Sequence, residues 1–141
     1  MRTLMIIDDD PDDVQIFCEA IHEVDKKIRC LTSGSAEEGL LFLKNAMIKP
    51  EYIFLDLNMP RMNGKQCLEQ LKKNAQFSEI PVIIYTTSKI KKDADDTMHL
   101  GASLFLTKPN KFEDLVNALK NILEKKIKRE NFGRNLYRQS N

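Results

Sequence analysis

What this chain has little of narrows its class before any motif is read. No apolar run approaches the roughly 18–20 residues needed to cross a bilayer, so membrane insertion is not expected. The first residues, Met-Arg-Thr-Leu-Met-Ile-Ile, run straight into a strand-like pattern and carry no secretion signal. Cysteine is scarce: Cys18, Cys30 and Cys67 are an odd number and lack C-x-x-C spacing. They read as small core residues in a reducing compartment, and the expected location is the cytoplasm. No G-x-G-x-x-G or Walker loop is present, which argues against a nucleotide site. Internal repeats and low-complexity segments are also missing. His22 and His99 lie in helical patterns without a second ligand at suitable spacing, so solvated faces are expected for both.

The net charge of +1 hides an asymmetry. Residues 125–141 hold six Lys/Arg and one Glu, a net of +5, which leaves −4 for residues 1–124. A mildly acidic body with a basic tail argues against a dedicated nucleic-acid-binding domain, and no direct DNA binding is expected. A length of 141 residues suggests one domain, and a hydrophobic share of 42% is enough to build a core.

Strand-like and helix-like patterns alternate five times. The strands are expected at about 3–7, 28–31, 53–55, 82–85 and 103–106. The first helix has Asp10 as N-cap and Pro11 at its first position, with Asp12 and Asp13 suited to the positive end of the helix dipole. Val14, Phe17, Cys18 and Ile21 form its inner face by their spacing. Ser35 caps the second helix, whose inner stripe is Ala36, Leu40, Leu43 and Met47. Asn63-Gly64 is a turn signal before the third helix, which turns Cys67, Leu68 and Leu71 inward. The fourth helix, roughly 91–100, offers only Ala94, Thr97 and Met98 among many charges and should be the least firmly packed. Gly101 is placed to end it. The fifth carries Val116, Leu119, Leu123 and Ile127 on one side, a stripe read as core packing with self-association into a homodimer as the alternative. Strands alternating with helices of this length imply right-handed βαβ units and a parallel sheet covered on both faces.

In such α/β sheets function sits beyond the carboxyl ends of the strands. Two apolar strands here deliver carboxylates at those ends: Asp8-Asp9-Asp10 after the first and Asp56 after Tyr52-Ile53-Phe54-Leu55. Burying such groups is costly unless something pairs with them, so an acidic pocket for a divalent cation is expected. The fourth strand ends in Thr86-Thr87 and the fifth is followed by Lys108-Pro109. Carboxylates with backbone carbonyls and water suit Mg²⁺. A lysine and a threonine could meet the oxygens of a phosphoryl group, and a carboxylate so placed could attack phosphorus.

On these residues the chain resembles the receiver domain of two-component response regulators, over roughly residues 3–124. Asp8 and Asp9 match the family's acidic pair, Asp56 its phosphoacceptor, Thr86 its hydroxyl residue and Lys108-Pro109 its lysine–proline step. The resemblance implies a flavodoxin-like, doubly wound five-stranded parallel sheet of order 2-1-3-4-5. It also implies Mg²⁺ held by Asp9, Asp56 and the backbone carbonyl of Asn58, with Asp8 acting through metal-bound water. Lys108 would pair with Asp56 or with the phosphoryl group, and Thr86 would bond a phosphoryl oxygen. A cis bond is implied at Lys108–Pro109. Phe105, where the family often has tyrosine, would turn inward as Thr86 is drawn toward the phosphoryl group, shifting the helix-four, strand-five, helix-five surface.

The resulting expectation is a stand-alone receiver over 1–127 with a basic tail over 128–141 and no output domain. It would be no enzyme beyond its own phosphorylation and dephosphorylation. Its partners would be a sensor or hybrid histidine kinase and a downstream protein target or phosphotransfer protein. The chain also looks similar to stand-alone receivers that serve photoreceptor or hybrid kinases. An aspartate-nucleophile phosphatase of the haloacid dehalogenase type is the rival. It fits less well, because Pro11-Asp12 replaces the expected small residues and there is no room for a cap domain.

Overall fold

Four of the five strands, all but the polar 29–33 strand, have large apolar side chains on both faces, which only a sheet covered on both sides can bury. The structure, a computed structural model, describes residues 2–125. Ile127 and the basic segment 128–141 lie outside the described residues. Five strands, β1 (Thr3–Ile7), β2 (Arg29–Ser33), β3 (Tyr52–Leu55), β4 (Val82–Thr86) and β5 (Leu104–Thr107), pair in parallel in the order β2-β1-β3-β4-β5. The helices α1 (Pro11–Val24), α2 (Ala36–Asn45), α3 (Gly64–Lys73), α4 (Lys91–His99) and α5 (Phe112–Lys125) follow the strands in turn. The doubly wound fold and its strand order are as expected.

Strand alternation divides the core in two. Leu4, Ile6, Phe54, Ile83, Tyr85 and Leu106 face Phe17 and Ile21 of α1 and Leu115, Leu119 and Leu123 of α5. Met5, Ile7, Ile53, Leu55, Ile84 and Phe105 face Leu43 of α2 and Cys67, Leu68 and Leu71 of α3. On the first side Phe17 packs its ring 4.8 Å from that of Phe54 and 5.4 Å from that of Tyr85, both tilted as aromatic quadrupoles prefer.

The helix starts follow their caps. Asp10 accepts from the Asp12 and Asp13 amides, and Ser35 accepts from Glu38 N–H. Asn63, read as a turn residue, is the N-cap of α3, in a capping box with Gln66. Gly101 lies just past α4 at φ +108, where a side chain would be strained. Two inner faces differ from the periodic reading. α2 stops at Asn45 with Ala46 as its C-cap, so Met47 falls past the helix and is 97% exposed. Gly39 takes the inner position beside Leu43, where an added Cβ would lie 2.7 Å from Ile7. On α5 the buried set is Leu115, Ala118, Leu119, Ile122 and Leu123, while Val116 is only partly covered. α4 has one buried residue, Thr97, whose hydroxyl is returned to the helix's own carbonyls at Asp93 and Ala94.

Candidate phosphoacceptor site

The sheet's parallel register sets the ends of β1, β3, β4 and β5 side by side. The Asp8 N–H donates to Ser33 O and the Asp56 N–H donates to Ile7 O, each at 3.0 Å. These extensions of the ladder carry two carboxylates out of the apolar layer together. One carboxylate oxygen each from Asp8, Asp9 and Asp56 lies within 4.8 Å of the others. Asp9 is exposed, whereas Asp8 is 1% and Asp56 6% exposed.

Lys108 enters from the end of β5, anchored by its own N–H to Thr86 O at 2.7 Å. Its Nζ donates to Asp8 Oδ2 at 2.8 Å and to Asp13 Oδ2 at 2.6 Å, and lies 5.2 Å from the centre of the Tyr85 ring. Pairing with Asp56 or with a phosphoryl group was expected; here the ammonium is shared by Asp8 and Asp13. The other Asp8 oxygen accepts the Asp10 N–H at 3.0 Å. Asp8 is thus satisfied at both oxygens, while Asp56 Oδ1 is buried with no hydrogen-bond partner. A buried orphan acceptor on a carboxylate is costly, and a cation is the natural partner for it. The donor set, three carboxylates with water access through Asp9, fits Mg²⁺.

The electrostatics follow from burial. Asp56 is raised from its ordinary range to about 6. Desolvation is the main cause and the Asp8 charge adds to it, opposed by Lys108, the Thr86 hydroxyl and the Leu57 N–H. Asp8 is also raised by burial, against the pull of Lys108 and of the Asp10 N–H. Burial draws Lys108 down, but its bonds to Asp13 and Asp8 and the charges of Asp56 and Asp8 outweigh it, and it ends above the usual lysine range.

Thr86 is fully buried at the end of β4, and its Oγ accepts the Ser88 N–H at 3.3 Å. From Ser88 a polar chain continues: its Oγ donates to Asp93 Oδ2 at 2.6 Å, and Lys65 of α3 bridges Asp93 and Asp96 at 2.9 and 3.0 Å. Asn58 is exposed and lines, with Asn63, Lys65 and Asp93, a hollow of about 430 Å³. Behind Asp56, Gly64 presses against the end of β3: a Cβ there would lie 2.2 Å from Asp56 O. Only glycine lets α3 start this close.

Three expectations change. No cis peptide bond occurs among the described residues, so Lys108–Pro109 is trans. The trans form is favoured before proline by about 0.5–1 kcal/mol, and with it Lys108 already reaches both of its carboxylates. Phe105, expected to turn inward on activation, is already inside at 4% exposure, in the layer against which Ala94 and Met98 pack. Asp13, read as a helix-dipole residue, is a direct partner of Lys108. The signal for it was its place one turn after Asp9, on a helix whose start Pro11 fixes. Nothing in the spacing of Lys65, Ser88 and Asp93 marked their linkage, which needs the packed α3–α4 pair.

Comparison with known proteins agrees with this geometry. The sequence profile of the response regulator receiver domain matches residues 4–120. PilH of Pseudomonas aeruginosa is 30% identical over 123 residues, covering 87% of this chain and 98% of its own. The C4-dicarboxylate response regulator DctR of Bacillus subtilis is 30% identical over 127 residues, 90% of this chain but only 54% of its own length. Response regulator Rcp1 of Synechocystis is 26% identical over 126 residues, 86% of each chain. In fold, the phosphorylated cyanobacterial phytochrome response regulator RcpA superposes with a TM-score of 0.80 at 23% identity, over 87% of this chain and 91% of its own. The Mn²⁺-bound form of Rcp1 gives a TM-score of 0.76 at 24% identity, over 86% of this chain and 91% of its own. With its acidic triad, its lysine and its parallel sheet accounted for, this chain belongs to the response regulator receiver domain family.

Proposed function

We propose that this receiver accepts a phosphoryl group on Asp56 from a phosphohistidine of a sensor or hybrid histidine kinase. The observation that carries the reading is the buried, unpartnered Asp56 Oδ1 beside two further carboxylates and opposite Lys108. In the transfer an Asp56 oxygen forms a bond to phosphorus as the bond from phosphorus to the histidine nitrogen breaks, and the imidazole takes a proton from solvent. Asp9, Asp56 and the Asn58 carbonyl would hold Mg²⁺, with Asp8 acting through its water, and the bound ion would supply positive charge toward the phosphoryl oxygens. Asp8 suits an indirect role, since both of its oxygens are already engaged. Lys108 has a donor to offer a phosphoryl oxygen once the new charge competes with Asp13 for it.

The signal leaves through Thr86. A phosphoryl group brings strong acceptor oxygens to a site whose neighbouring hydroxyl is Thr86. Drawing Thr86 toward it disturbs the Thr86–Ser88–Asp93 chain and so the seat of α4. α4 has little to hold it, and a cavity of about 810 Å³ lies between α4, β5 and α5, with Ile90, Ala94 and Phe105 among its lining residues. Because Phe105 is already inside, the shift starts at Thr86 and α4 rather than with an inward swing of the ring. The reader of this surface is a downstream protein target or a phosphotransfer protein, in the cytoplasm. No helix among the described residues is long and apolar enough to cross a membrane.

Incubation with acetyl phosphate and Mg²⁺, followed by intact-mass measurement, tests the assignment. The expected result is one acid-labile phosphoryl group per chain, absent without the cation and absent in Asp56→Asn. Normal uptake by that variant would overturn it.

A further inference from the structure

Between α1 and β2 lies a pair of sulfurs that phosphoryl chemistry does not use. Cys18 lies midway along α1 and Cys30 lies on β2, paired in register with Leu4. Their Sγ atoms are 2.7 Å apart, although twelve positions separate them in the chain. Both residues are only partly buried, at the margin of the α1–α5 core layer, within reach of small solutes. The third cysteine, Cys67, is fully buried under α3, and burial pushes its thiol up to about 12. The chain therefore carries one accessible, juxtaposed pair and one inert thiol.

Two chemistries could use such a pair. A bridging soft metal needs its thiolates about 3.8 Å apart, from two metal–sulfur bonds of roughly 2.3 Å at a tetrahedral angle. It also needs further ligands. Among the described residues the one group of three convergent metal-ligating side chains is Asp8, Asp9 and Asp56, so the sulfurs have no third donor. A direct bond between the sulfurs needs neither. We propose that Cys18 and Cys30 are a reversible redox couple that closes an intramolecular disulfide, tying α1 to β2. β2 is one of the two edge strands of the described sheet, so the bond would pin one of its open margins.

The step balances with a peroxide as oxidant. The Cys18 thiolate attacks the peroxide oxygen, giving a sulfenic acid and releasing water once the leaving hydroxide takes up a proton. The Cys30 sulfur then attacks the Cys18 sulfur, forms the S–S bond and expels a second water. Two thiols lose two protons and two electrons, and hydrogen peroxide becomes two waters. Donation of the Cys30 S–H to the Cys18 sulfur favours the Cys18 thiolate as the attacking group, and the balance is the same with the two sulfurs exchanged. A dithiol reductant restores the pair by exchange.

The full chain is treated with a small excess of hydrogen peroxide, quenched and examined by intact mass, thiol count under denaturing conditions and non-reducing peptide mapping. The expected product is lighter by about 2 Da, retains the Cys67 thiol alone and contains one Cys18–Cys30 linked peptide. Its Tm is higher than that of the reduced protein by about 5–10 °C, and dithiothreitol reverses every change. Cys18→Ser and Cys30→Ser each abolish the mass loss. Three thiols after treatment, sulfonic acid at Cys18, or a disulfide between two chains would each overturn the proposal.

Discussion

The middle of the sheet and its carboxyl-terminal rim are made by the same strands, yet they follow opposite rules. In the middle, Phe54, Ile6 and Ile84 are wholly buried among apolar neighbours, and the ladder satisfies the backbone. Two residues further along, at the strand ends or just past them, lie Asp8, Asp56 and Thr86, also buried but charged or polar. Asp56 keeps an unpaired oxygen and a raised pKa there. The middle holds the fold together and the rim strains it, as the orphan oxygen of Asp56 shows; a pocket that is to welcome a dianion and a cation, as proposed above, could not also be self-satisfied.

The sharpest way to test this division is to shorten a ring in the middle. Phe54→Ala should cost about 3–5 kcal/mol, read as a lower urea midpoint at unchanged slope. A loss under 1 kcal/mol would mean that the sheet centre is not where stability resides. At the rim the sign should reverse. In metal-free protein, Asp56→Asn should stabilise by roughly 1–3 kcal/mol at pH 8, since it removes an uncompensated buried charge. The pH dependence follows from the direction of the shift. A carboxyl raised from 3.8 to about 6 binds its proton more tightly when folded. Its penalty is absent below about pH 4, grows as pH rises and is complete above about 6. The stability gap between variant and parent should open across that window and then level off, and a gap independent of pH would contradict it.

Protons and cations should compete for the same oxygens. Mg²⁺ affinity, followed by calorimetry, should fall about tenfold per unit as pH drops below about 6. The smallest effect belongs to the polar chain behind the rim. Lys65→Ala removes bridges to Asp93 and Asp96 whose side chains are partly exposed to water, and should change stability by less than about 1 kcal/mol. Amide exchange along α4 should nonetheless quicken, while α5, with five buried residues against the single one of α4, should not respond.

Most of the middle was legible in the sequence, because period two and period 3.6 report burial directly. Asp10-Pro11 and Ser35 marked helix starts for a local reason, a side chain reaching amides two or three residues on. Met47 misled because an apolar stripe continues past Asn45 although the helix does not. Gly39 was invisible as core because it fills its place by lacking a side chain. At the rim, residue types were readable and partnerships were not. Lys108 lies against Asp8 at the strand ends, and its second partner, Asp13, was hinted at only by its place one turn after Asp9, because the pairing also depends on how α1 is rotated about its axis.

The tight seat of Gly64 against the Asp56 carbonyl has a mechanical consequence. With the Asp56 backbone braced from behind by the first turn of α3, that flank has no room to recoil. On the function proposed above, displacement driven by new charge on Asp56 would travel sideways, across β4 to the thinly anchored helix beyond it. The molecule would then work as a lever with one fixed wall.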